Sequence, residues 1–215
     1  MTLVDSWVQP SEGTSDYLNT CSTFDPSKEV PEIGPMPLPI PDGSGAVGII
    51  DGHLDDIWYK GPYKEYVGTV LNAPLRQNQT YVLELSVGFG FDASKLPPLE
   101  LTVFGHGSRD AFPIDYRAEC PSKYFPDWKI LGSQQVGGSN EWVKTSIEFT
   151  CPTDIHSIAI GPSCQDASDS LNYYYLDNLI LYRKQDKGKV WINIVESPIC
   201  DNTITLASNA IDQSY

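Results

Sequence analysis

The sequence predicts an all-β chain folded as a two-sheet sandwich, and three observations carry that prediction. The run NYYYLDNLILYR from Asn172 to Arg183 is rich in Tyr, Leu and Ile, the residues that suit a pleated and largely covered surface. Further short apolar runs, LELTVF at 99–104, WVKTSIEFT at 142–150 and SIAI at 157–160, are separated by Gly, Pro or Cys. No segment has a convincing helical period for more than two turns, and no repeat recurs along the chain.

Residues 1–30 are polar and turn-rich, and the proline-rich stretch PEIGPMPLPIPDGSG (31–45) forbids helix and central strand, so it reads as a long ordered loop over the sandwich. Ala46–Ile50 is a short buried strand, 51–63 a polar and aromatic loop, and Tyr66–Leu71 another strand. In Tyr81–Val87 the side chains alternate, with Val82, Glu84 and Ser86 facing away from Tyr81, Leu83, Leu85 and Val87. That makes a core strand with one wet face. After Arg183 a basic connector, KQDKGK, leads to a fresh strand pattern at Val190–Val195 and then SPICDNTITLA. The chain therefore divides into a β domain over 1–186 and, over 187–215, a linker with the start of a second β domain. The alternative is that 190–215 adds edge strands to the first.

Twenty-eight acidic residues against 14 basic ones leave a net charge of −14, which repels phosphate backbones and anionic headgroups. Nucleic acid and membrane insertion are poor partners, and no apolar run has the length a transmembrane helix needs. Residues 1–20 lack a basic-then-apolar leader. Cys21, Cys120, Cys151, Cys164 and Cys200 have no metal-ligand spacing, so disulfides are expected and with them an extracellular or other oxidising compartment. Cys151 and Cys164 bracket a segment expected to turn back on itself, which leaves Cys21 with Cys120. Sequence does not choose among the three connectivities that four cysteines allow.

The segments SWVQPSEGTSDYLNTC (6–21), GAVGI (45–49), YKEYVGTVLNAPLRQNQTYVLELSV (63–87), NEWVKTSIEFTCP (140–152), IAIGPSC (158–164) and NYYYLDNLILYR (172–183) resemble the galactose-binding-like, carbohydrate-binding-module type of β-jelly-roll found in secreted and surface proteins of Bacteroidota. The tail SPICDNTITLA is similar to the first strands of the Ig-like repeats that follow such modules. The resemblance implies a jelly roll that is secreted or displayed at the cell surface among neighbouring domains. It departs at the start, where only Met1–Asp5 precede the SW segment, so the usual first strand is expected to be absent or replaced.

An Asp inside so apolar a strand needs a cation or several donors. The resemblance supplies a structural Ca²⁺, held by Asp177 with backbone carbonyls of the turn around Asp42, Gly43 and Gly45, and Ca²⁺ accepts such mixed oxygen sets. Without the ion, Asp177 would simply accept backbone amides.

For a glycan, flat aromatic surfaces beside polar side chains are the useful signal, because sugar C–H faces pack on Trp and Tyr. Trp58, Tyr59 and Tyr63 lie with Asp55 and Asp56 in one loop, and Trp128 lies in a second, PSKYFPDW (121–128). Against each stands the reading of an aromatic plug at the sandwich end. The cluster DGHLDD (51–56) is ordinary for a polar loop, His106 falls in a turn and His156 beside a strand. No nucleophile elbow, P-loop, dinucleotide fingerprint or HExxH occurs. The sequence thus favours a non-catalytic glycan-binding module. A structural or adhesive spacer is the alternative, and a β-sandwich hydrolase or lyase a remote third.

Overall fold

In the computed structural model the described residues are 7–11, 13–19, 36–55, 60–90, 96–114, 120–165 and 171–186, with the strands at 192–196 and 204–208 described by backbone alone. The strands are β1 (Trp7–Val8), β2 (Asp16–Asn19), β3 (Gly45–Asp55), β4 (Lys60–Lys64), β5 (Val67–Leu75), β6 (Thr80–Phe89), β7 (Leu99–His106), β8 (Lys129–Val136), β9 (Val143–Thr150), β10 (Ile155–Pro162), β11 (Asn172–Arg183), β12 (Ile192–Glu196) and β13 (Ile204–Ser208). One helical turn, α1 (Pro121–Tyr124), and a 3₁₀ turn at Lys184–Asp186 complete the described elements.

Two antiparallel sheets form the sandwich. The first runs β1-β5-β10-β7-β8 and the second β2-β3-β11-β6-β9, with β4 beside β3. Without the short edge strands these are β5-β10-β7-β8 and β3-β11-β6-β9, in which the first and last long strands pair and every connection after β5 crosses between sheets except β7 to β8, which are neighbours in the first sheet. That order is the double Greek key of a jelly roll, so the all-β sandwich expected from the sequence is the fold. β12 and β13 pair with each other in a two-stranded sheet.

The core lies between the sheets and is built by alternation. Tyr81, Leu83, Leu85, Val87 and Phe89 of β6 point inward with Leu176, Leu179 and Leu181 of β11, against Leu99, Leu101 and Val103 of β7 and Ile158 and Ile160 of β10. Val82, Glu84 and Ser86 take the opposite face, as the period of two requires. The prolines of 36–41 lie over the outer face of the second sheet, where Met36, Ile40 and Trp142 cover Tyr173 and Tyr175. Trp142 fixes this cover by donating its indole N–H to the Pro37 carbonyl at 2.8 Å. Gly48 makes room for it from below: a Cβ there would lie 1.8 Å from the Tyr173 hydroxyl.

Several expectations are corrected. Residues 51–63 are not a loop: β3 continues to Asp55 and pairs with β4 as a hairpin whose last described pair is Asp55 and Lys60. At the start of the chain β1 pairs with β5 and β2 with β3, so the described residues of 7–19 form a strap that holds one edge of each sheet.

The disulfide pairing also differs. Cys120 is bonded to Cys164, with Cα atoms 5.0 Å apart, while Cys151 is a free thiol buried in the core, and Cys21 lies outside the described residues. Cys151 and Cys164 do not return to each other because all of β10 stands between them, and eight extended residues carry the chain roughly 25 Å to the other end of the sandwich.

A buried acid sits beneath the strap. Glu65, 1 % exposed, accepts the Ile50 amide on Oε2 at 3.0 Å and the Tyr63 hydroxyl on Oε1 at 3.1 Å. The Tyr63 oxygen in turn accepts the Thr14 amide, and Ser15 Oγ donates to the Tyr66 carbonyl at 2.7 Å, tying the strap down. Burial, reinforced by the neighbouring Asp16 carboxylate, pushes the Glu65 carboxyl up to about 7 against the hydrogen bonds that oppose it.

Candidate functional site

Among the described residues an open groove lies on the outer face of the second sheet. It follows from the register of three neighbouring strands. On β11, β6 and β9 the outward residues form cross-strand rows: Asp177, Ser86 and Lys144 in one, and Ile180, Glu84 and Ser146 in the next. One end of this face is roofed by the 36–44 segment. Beyond the roof lies a shallow recess of about 370 Å³ lined by Glu84, Ser86, Lys144, Ser146, Asn178 and Ile180.

A β-bulge shapes the recess. Asp177 pairs with Ser86 and Ile180 with Glu84, so β11 spends three residues where β6 spends two. The extra residue, Asn178, sits at φ 52°, a conformation that Asn tolerates better than most residues. The bulge resets the alternation, so that both Asp177 and Ile180 face outward while Leu176, Leu179 and Leu181 keep the core.

Chemically the groove mixes donors and acceptors around a small apolar strip. Lys144 and Ser146 are exposed, Glu84 accepts the Tyr182 hydroxyl, and Ile180 supplies the apolar contact. At its floor Ser86 is 1 % exposed, and its hydroxyl makes no hydrogen bond among the described residues. A buried hydroxyl without a partner costs free energy that a ligand able to reach it would recover.

Asp177 borders the groove under the roof. It is 2 % exposed, and its Oδ2 accepts the Asp42 amide at 2.8 Å. Asp42 and Gly43 form an exposed turn, Gly43 at φ 64°, and Gly45 begins β3 opposite Asn19. The structure thus joins Asp177 to the 42–45 turn through the Asp42 amide, with one carboxylate oxygen serving as its acceptor. Among the described residues no three His, Cys, Asp or Glu side chains converge, so a cation here would depend on Asp177 and backbone carbonyls.

The aromatic candidates fare differently. Trp128 is 4 % exposed and packs on Phe112 and His106 at ring distances of 5.5 and 5.2 Å, so it plugs the outer face of the first sheet and is no sugar platform. Tyr63 is half-buried, its hydroxyl engaged between Glu65 and Thr14. Asp55 is exposed and paired with Lys60 at 2.7 Å. Asp56, Trp58 and Tyr59, which follow Asp55 at the hairpin, lie outside the described residues.

Sequence reading missed the groove as a site although its signal was present. Lys144, Ser146 and Glu148 alternate with Thr145, Ile147 and Phe149 just as Val82, Glu84 and Ser86 alternate with the core side of β6. Two polar half-patterns on strands that pair make one wet face.

No family model matches the chain, and no curated protein does. Solved structures similar to it include the N-terminal cellulose-binding domain of β-1,4-glucanase C from Cellulomonas fimi, at 13% identity and a TM-score of 0.41, covering 86% of this chain and 98% of that one. Another is the K1 cleaved adhesin domain of Lys-gingipain from Porphyromonas gingivalis, at 14% identity and TM-score 0.40, covering 83% and 97%. A third is the CBM22-1 and GH10 modules of endo-1,4-β-D-xylanase 10B from Clostridium thermocellum, at 11% identity and TM-score 0.45, where 84% of this chain matches 26% of that one.

Proposed function

We propose that the protein is a non-catalytic carbohydrate-binding module that takes a stretch of polysaccharide in the groove of the second sheet. The observation that carries this reading is the groove itself: an open face crossing three strands, with Ser, Lys, Glu and Asn side chains around Ile180 and an unpartnered hydroxyl at its floor. Sugars need hydrogen-bond partners at several points and an apolar contact for a C–H face, and an extended chain needs a site without end walls. Among the described residues the groove's lining holds one carboxylate, Glu84, with Asp177 buried at its border under the roof, whereas glycoside hydrolysis ordinarily uses two that both reach the substrate, which supports binding over turnover.

As a second contact for the same polymer stand Asp55 and Tyr63 of the β3–β4 hairpin and, from the sequence alone, Asp56, Trp58 and Tyr59 between them. The disulfide supports a secreted or cell-surface setting, and the two-stranded β12–β13 sheet is in keeping with a neighbouring Ig-like domain of a longer chain.

Native gels cast with neutral and acidic polysaccharides test the proposal. The protein is expected to be retarded by at least one polymer, and Lys144→Ala to weaken the retarding affinity about fivefold, the scale of one lost hydrogen bond. Trp58→Ala weakens it further if the hairpin takes part. No retardation across a broad panel makes the protein a structural or adhesive spacer.

The Ca²⁺ at Asp177, Asp42, Gly43 and Gly45 is part of the same proposal. A chelator is expected to lower the melting temperature of the wild type and to leave that of Asp177→Ala unchanged. If the chelator alters neither, Asp177 serves the turn as a hydrogen-bond acceptor without an ion. Its removal then still costs about 1.5–3 kcal/mol, the scale of a hydrogen bond to a charged acceptor.

A further inference from the structure

A second recess, also of about 370 Å³, lies at the end of the sandwich where the two sheets meet. Its base is made by neighbours on β3, β4 and β11: Asp51 pairs in register with both Lys64 and Asn172. The Lys64 side chain is only 5 % exposed and reaches Asp51 Oδ1 at 2.5 Å, while Asn172 donates to the Asp51 carbonyl at 3.0 Å. Across the recess stand Glu100 of β7 and its cross-strand partner Gln135 of β8, with Gln165 beside them.

Two features separate this recess from an ordinary surface dent. An ammonium carries three donors, and among the described residues Lys64 uses one of them, on Asp51. Taking such a pair out of water is costly unless the remaining donors find acceptors, and the recess is the space into which they open. The wall is also fixed in place. The Ser163 amide is bonded to the Glu100 carbonyl at 2.9 Å, and Cys164, next to Gln165, is tied to Cys120 by the disulfide.

We propose that this recess is a binding site for a small neutral polyol, of the size of one sugar ring. Vicinal hydroxyls can donate together to one carboxylate, the role open to Asp51 and Glu100, and accept from an ammonium and from amides, the role of Lys64, Gln135 and Gln165. Pro97 and Pro98 furnish an apolar wall. An anionic ligand is disfavoured by the two carboxylates in the lining and by the net charge of −14. The volume is at the small end of ligand sites, roughly 300–1,000 Å³, and suits one ring better than a chain. The site is distinct from the groove of the second sheet and does not depend on that groove's ligand.

The test is an amide NMR titration of the intact protein with methyl glycosides of glucose, xylose and mannose and with inositol, each to about 100 mM, since a single ring binds in the millimolar range. At least one is expected to shift the side-chain amides of Asn172, Gln135 and Gln165 and the backbone amide of Ser163. In the exposed double variant Gln135→Ala/Gln165→Ala the affinity falls about tenfold, two hydrogen bonds' worth, with an unchanged melt. Signals of Ser86, Lys144 and Asn178 report the groove separately. No shift at the recess with any probe, or an equal shift in the double variant, overturns the proposal whatever happens at the groove.

Discussion

Replacing Cys120 and Cys164 together by serine is expected to destabilise the protein by about 4 kcal/mol, the loop-closure entropy regained by an unfolded chain no longer cross-linked over a separation of 44 residues. The bond joins the residue before α1 to the second residue after β10, and its neighbours Phe104, Ile114 and Trp128 form the small core on the outer face of the first sheet. Losing it frees that cover as well as the unfolded chain. Thermal or urea melts of wild type and variant measure the difference. Cleavage under non-reducing conditions should yield one peptide containing both residues, with Cys151 recovered as a thiol. An unchanged melt, or a peptide joining Cys151 to Cys164, contradicts the pairing.

The second large effect is expected at Glu65. Its carboxyl is raised from an ordinary 4.5 to about 7 in the folded protein, so between those values the folded state binds a proton that the unfolded state has lost. Stability therefore falls as pH rises through this window, by up to about 3 kcal/mol once the carboxyl is ionised on both sides of the equilibrium. The groups that face it set the sign. Asp16 and burial oppose the charge, and the donors from Tyr63, Ile50 and Thr14 offset only part of that opposition. Glu65→Gln keeps an acceptor for the Ile50 amide and removes the charge. At pH 8 it is expected to melt on the order of 5 °C above the wild type, and at pH 4 to melt alongside it. Parallel melts at both pH values would show that the acid is not held neutral beneath the strap.

The strands with a core face were legible in the sequence because alternation and burial coincide in them. β6, β7, β10 and β11 read as strands from their apolar residues, and the prolines of 36–41 read as a cover because they can do little else. β8 was missed. Its sequence KILGSQQV lies at a sheet edge with most side chains exposed, so pairing with β7 decides its conformation and leaves little trace in the pattern. The β3–β4 hairpin escaped for the same reason.

The site was less legible because it arises from register. Nothing local in the chain announces that Ser86, Lys144 and Asp177 share a row, or that Asp51, Lys64 and Asn172 do. Asp177 did stand out, because a lone acid in an aromatic strand demands a partner, and the Asp42 amide at 2.8 Å meets part of that demand. The disulfide was unreadable until β10 was known to separate Cys151 from Cys164. Glu65 looked like any acid near a strand start, and only the strap that folds back over it makes it a buried one.

Whether the outer face of the second sheet is where sugar binds is decided by an amide NMR titration with a series of oligosaccharides taken from polymers such as cellulose, xylan and mixed-linkage glucan. The expected result is a continuous band of shifted signals across Glu84–Ser86, Lys144–Ser146 and Asn178–Ile180, weakened in Lys144→Ala. A series that leaves this band unmoved while the protein remains folded would contradict the groove as a glycan site.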